Sequence, residues 1–149
     1  MKKVTLNQIK KVRPCKEGWE TLLKGLNKTK PDDVEFDVFK IIETNNLDDC
    51  LWVLCEVLNL QKELRLFAYW NANQCLKYIP NKEKQEYRKV INTVNMHAYG
   101  FVDDYARASA WYSARYSENY EAYIEKAIEK LKEIVNGKLP AMYKGNNHF

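Results

Sequence analysis

The chain has 149 residues, 46% of them hydrophobic, 13% aromatic and 30% charged. That mix excludes disorder, because the aromatic surface gives the chain enough to bury; five glycines and four prolines supply too few turns for a β-sandwich. The net charge of +4 is uneven: residues 1–30 hold nine Lys and Arg against two acids, which leaves the remainder at −3.

The elements follow from spacing and capping. Thr5 caps a short helix over 6–11, and Pro14 ends it, because the residue before proline avoids helical backbone. Cys15-Lys16-Glu17-Gly18 opens a second helix with Trp19, Leu22, Leu23 and Leu26 inward, followed by a loop around Pro31. A third helix is expected over about 35–44, with Phe36, Phe39, Ile41 and Ile42 apolar. Asn46 then caps a fourth over 47–58, with Asp48 and Asp49 in the first turn, where negative charge suits the dipole. This helix is apolar nearly all round, the pattern of a central, buried element. A fifth covers about 61–79 through Leu64, Phe67, Ala68, Ala72, Cys75 and Leu76. A sixth, about 82–99, places Tyr87, Val90, Ile91, Val94 and Ala98 on one side, with Gly100 at its C′ position.

From Gly100 to Gly137 there is no interior glycine or proline. Ala106, Ala110, Ala114, Ser117, Ile124, Ala127, Ile128, Leu131 and Val135 recur at the spacing of one helix face. The register favours a single long helix starting at Asp103 or Asp104, about 50 Å at 1.5 Å per residue; a break near Ser117-Glu118 is the alternative. Alanines at four-residue spacing let a neighbouring helix approach closely. Tyr105, Tyr112, Tyr116, Tyr120 and Tyr123 form a second stripe, so the first half of the helix is expected to meet neighbours on two sides. Residues 138–149 read as a tail. The expected architecture is all-α, a single compact domain of about seven helices over 1–149 with one long C-terminal helix.

No motif of catalysis is present. There is no nucleophile elbow and no glycine-rich phosphate loop. Of the two histidines, His97 and His148, only His97 falls in an expected element, where the end of a helix explains it better than acid–base work with Asp103 or Asp104. Cys15, Cys50, Cys55 and Cys75 form no CxxC, so free thiols fit better than a zinc site. The acidic pairs Asp32-Asp33, Asp48-Asp49 and Asp103-Asp104 are explained by helix starts. No catalytic residue, cofactor or metal is therefore expected. No run of about 18 apolar residues exists to span a membrane, and the first residues turn polar too early for a signal peptide. A cytoplasmic protein is expected.

Three segments resemble a family of small helical proteins from bacteria and their phages that are often labelled immunity proteins. They are Arg13-Pro14-Cys15-Lys16-Glu17-Gly18, Glu63-Leu64-Arg65-Leu66-Phe67-Ala68, and Ala98-Tyr99-Gly100 leading into an alanine- and aromatic-rich helix. The likeness runs through most of residues 5–135, and this chain is tyrosine-rich where such proteins are alanine-rich. The resemblance implies a non-enzymatic binder of a toxin, or of a host or defence protein. The residues themselves offer a partner-binding patch: Trp111 on the polar arc of its helix, with Arg107 and Arg115 one turn before and after it. The alternative is a nucleic-acid-associated protein that uses Lys10, Lys11 and Arg13.

Overall fold

The computed structural model describes residues 1–78, 80–86, 88–89 and 102–138. The chain is all-α, with one two-stranded sheet. It divides into two compact units, Met1–Leu60 and Gln61–Phe149.

The first unit opens with strand β1, Lys3–Val4, followed by α1, Leu6–Lys11. Thr5 caps α1 as expected and forms a reciprocal capping box. Its Oγ1 accepts from the Gln8 backbone N–H at 3.2 Å, and its own N–H donates to Gln8 Oε1 at 2.9 Å. The helix ends before Arg13, which takes a positive φ of 56° and turns the chain toward Pro14. Cys15 caps α2, Lys16–Gly25, with its Sγ accepting from the Gly18 N–H. At the far end of α2, a Cβ on Gly25 would stand 2.6 Å from Thr44 Cγ2, so only glycine admits that contact.

The third expected helix is shorter than its apolar pattern implied. Phe36–Asp37 is strand β2, paired antiparallel with β1, Val4 opposite Phe36 and Lys3 opposite Asp37. Helix α3 starts only at Lys40 and ends at Thr44. Two local bonds explain the difference. The Phe39 N–H donates to Asp37 Oδ1 at 3.0 Å, and the Val38 N–H donates to the Lys2 carbonyl at 3.0 Å. Both take backbone donors that a longer helix needs. Asp32-Asp33 likewise lies in the loop before β2. Asp32 pairs with Lys28 at 2.7 Å and accepts from the Val34 N–H, and Asp33 accepts from Asn7 Nδ2.

Helix α4, Leu47–Glu56, is capped by Asn46 and buries Leu47, Cys50, Leu51, Val53, Leu54 and Cys55. With Val4, Leu6, Ile9, Leu22, Val38, Phe39 and Ile41, these residues are the buried apolar side chains of the unit.

The second unit begins with α5, Gln61–Cys75, and a 3-10 turn, Leu76–Tyr78. Helical residues 81–86 and 88–89 follow as α6. The expected apolar face of the sixth helix at 87–98, together with His97, Gly100 and the tail from 139, lies outside the described residues.

The long C-terminal helix is two helices: α7, Val102–Tyr116, and α8, Tyr120–Val135. The break is why eight α-helices stand among the described residues where about seven were expected. Ser117 Oγ donates to the Ala114 carbonyl at 2.6 Å, and Asn119 Oδ1 accepts from the Ala122 N–H at 3.1 Å. Asn119 is thus the cap of α8, two residues beyond the expected point of fracture. The apolar register survives the break: Ala106, Ala110, Ala114, Ala127, Leu131 and Val135 are all buried. Helix α5 packs against α7 and α8, and α7 packs against α8.

Two expectations for stability follow. Leu51→Ala or Leu54→Ala should each cost about 2–5 kcal/mol in denaturant melts, from lost burial plus a cavity. Ala110→Leu should cost about 1–3 kcal/mol by overpacking; an unchanged midpoint would place Ala110 at the surface.

Candidate functional site

Helix α7 presents two opposite faces. The buried face carries Ala106, Ala110, Ser113 and Ala114, each at most 1% exposed. At 100° per residue, the outward side runs in order through Trp111, Arg115, Tyr112 and Tyr116, roughly 140° of arc. Arg107, Arg115, Tyr112 and Tyr116 are exposed, and Trp111, at one edge of the arc, is half-buried. The tyrosine stripe therefore does not meet a second neighbour at Tyr112 and Tyr116, because those two rings face water. Tyr123, on α8, is the buried member of the series.

The turn from α7 to α8 completes the patch. It brings Tyr120 back against Trp111, with ring centroids 5.6 Å apart and planes inclined by 19°. Trp111 thus packs on the first residue of the next helix. Tyr112 and Tyr116 form a second pair, centroids 4.9 Å apart, and the Tyr112 hydroxyl donates to that of Tyr116 at 3.4 Å. That bond, reinforced by partial desolvation, raises the Tyr112 pKa above the usual phenol value. The corner holds three tyrosines, each nearly half exposed, one stacked on Trp111 and two on each other, with Arg107 and Arg115 one turn before and after Trp111. Ring faces, hydroxyls and guanidinium groups can stack, hydrogen-bond and carry positive charge.

The corner is held from below by Asn71 on α5, which is fully buried. Its Oδ1 accepts from the Tyr123 hydroxyl at 2.6 Å, and its backbone carbonyl accepts from Ser113 Oγ at 2.6 Å. Its Nδ2 donates to the Phe67 carbonyl at 3.0 Å. One residue of α5 thereby fixes one point on α7 and one on α8. The sequence reading missed this hub, although an asparagine inside an otherwise apolar helix face was the available signal.

In the first unit, Lys10 and Lys11 occupy the last turn of α1, and Arg13 follows it. All three are exposed, and among the described residues none makes an ion pair. No group of three His, Cys, Asp or Glu side chains suited to a metal ion occurs among the described residues. No helix there is long and apolar enough to cross a membrane. In comparisons with known proteins, the chain matches no family model, no curated protein and no solved structure.

The hub yields a direct expectation. Tyr123→Phe keeps the ring and removes the donor to Asn71 Oδ1, so it should destabilise the fold by about 1–3 kcal/mol, the cost of leaving a buried acceptor unpaired. A denaturant midpoint equal to the parent's would show that water replaces the lost bond.

Proposed function

We propose that this chain is a non-enzymatic protein-binding protein that acts through the corner of α7 and α8. The reading extends to an inhibitor or immunity-type protein, phage-encoded and cytoplasmic, directed at a toxin or at a host or defence protein. One observation carries it: Tyr112, Tyr116 and Tyr120 stay 45–49% exposed while held in ring pairs, Tyr120 on Trp111 and Tyr112 on Tyr116. Tyrosine, tryptophan and arginine are the residues that anchor protein interfaces, since they supply large rigid contact area with a polar handle. Arg107 and Arg115 add positive charge to the corner, which favours an acidic partner surface.

The test compares parallel captures from lysate, quantified by mass spectrometry, by the parent, Trp111→Ala and Tyr116→Ala. Trp111→Ala loses its stacking with Tyr120 and so should also cost some stability, about 0.5–1.5 kcal/mol. Tyr116→Ala removes an exposed ring and serves as the cleaner probe. With the captured partner in hand, each variant should weaken binding by about 2 kcal/mol, the usual hot-spot threshold. Equal affinity for all three proteins would exclude this corner as the interface.

A second reading rests on Lys10, Lys11 and Arg13, which are exposed and, among the described residues, carry no ion pair. If this turn contacts nucleic acid, replacing all three by Gln should flatten the salt dependence of binding by about 2–3 units in log–log slope. Absence of DNA or RNA binding by the parent at low salt would remove this reading.

A further inference from the structure

A second cluster in the Gln61–Phe149 unit lies outside the residues considered so far. Trp70 and Gln74 stand one turn apart on α5, and Lys126 and Lys130 one turn apart on α8. Lys77 comes from the 3-10 turn that follows α5. The Lys77 and Lys126 ammonium groups both donate to Gln74 Oε1, at 2.9 and 3.3 Å. Those of Lys126 and Lys130 both lie over the Trp70 ring, 5.6 and 5.7 Å from its centroid. The ring is itself fixed, stacked on Tyr123 at 6.3 Å and only 6% exposed.

We propose that Lys77, Lys126 and Lys130, gathered around Gln74 and the Trp70 ring, form a binding site for the phosphate group of a small molecule. The partners that hold Lys77 and Lys126 orient charge without cancelling it. An amide oxygen and a ring face are both neutral, and each is shared by two ammonium groups. The carboxylate bonded to the cluster is that of Glu133, 2.8 Å from Lys130 Nζ. Among the described residues Lys77 and Lys126 pair with no acid. Three cations held this close repel one another, and a multiply charged oxyanion relieves that repulsion while accepting from all of them. Partial burial, and then the charges of Lys77 and Lys130, pull the Lys126 pKa below the usual lysine value, the sign of a cation lacking its counter-charge. A small ligand fits better than a polymer, because the one ring of the site is buried under the lysine stems and offers no face to a base.

Calorimetric titration at low ionic strength tests the assignment, with inorganic phosphate, pyrophosphate and a short single-stranded oligonucleotide as probes. Phosphate or pyrophosphate should bind saturably at one site. Stronger binding of pyrophosphate would assign a diphosphate ligand, and equal binding a single phosphoryl group. Lys77→Gln and Lys126→Gln should each weaken it by about tenfold or more, whereas Lys126→Arg should retain it. Lys77 is exposed and, among the described residues, its ammonium bonds the Gln74 side chain alone, so its variant keeps the test valid if Lys126→Gln disturbs the packing on Trp70. The proposal is overturned by any of three results: no saturable binding of either small anion, affinity indifferent to both glutamine variants, or binding of the oligonucleotide alone.

Discussion

The arrangement of the second unit depends on one buried amide. Hydrophobic burial draws α5, α7 and α8 together but has no direction. A contact built from alanines at Ala106, Ala110 and Ala114 leaves a helix free to slide by a turn or rotate by a few tens of degrees at little cost. Asn71 removes that freedom. Its carbonyl and side-chain oxygen each take a hydroxyl at 2.6 Å, one from α7 and one from α8. A slide of either helix would leave a polar atom buried without a partner, at a cost comparable to a large fraction of a domain's net stability. Packing brings these helices together, and the hydrogen bonds set their register.

The outward surface follows from that register. With Ser113 held inward, Tyr112 and Tyr116 must point away, and Trp111 must sit at the edge where the next helix can reach it. The sequence carried most of the inward half, since six of the nine register positions, Ala106, Ala110, Ala114, Ala127, Leu131 and Val135, are buried, while Ser117, Ile124 and Ile128 are half-buried and Ser113, Tyr123 and Ile134 are buried outside that register. It carried the outward half less well. A tyrosine stripe at helical spacing reads as packing surface, yet Tyr112 and Tyr116 face solvent while Tyr123 is inside. Periodicity reports which residues share a face; it does not report which of two aromatic-compatible faces is covered.

Caps and breaks show the same division. Thr5 and Asn46 were legible because a capping side chain and the apolar run it opens are adjacent in the chain. Asn119 was not, because a continuous register ran across it and Ser117-Glu118 offered a competing start. The break at 117–119 costs α7 and α8 little, since the same face stays buried on both sides of it. Strand β2 was hidden for a different reason. Phe36 and Phe39 fit a helical face, and what decides against the helix is pairing with Lys3–Val4, more than thirty residues away, together with the Asp37 side chain bonded to the Phe39 N–H. Long-range pairing of two residues leaves no periodic trace.

The exposed rings bear on function because folding does not require them. Alanines supply the close approach of α7, Asn71 supplies its register, and Asn119 supplies the turn into α8. None of these calls for Tyr112, Tyr116 or Tyr120 at the surface, where a ring nearly half in water returns only part of its hydrophobic gain. Lone apolar residues at a surface are ordinary. Two ring pairs on one outward arc, Trp111 with Tyr120 and Tyr112 with Tyr116, are more than lone residues, and exposed apolar surface gathered in this way is the kind that marks contact sites. The Trp111–Tyr120 and Tyr112–Tyr116 ring contacts also order these side chains before any partner arrives, so less conformational entropy is lost on binding. The same logic applies to Lys77 and Lys126, where neutral partners hold the cations in place and, among the described residues, no acid cancels their charge. In both places the fold orders a chemistry that its own interior does not use, and that surplus supports reading this unit as a binding module.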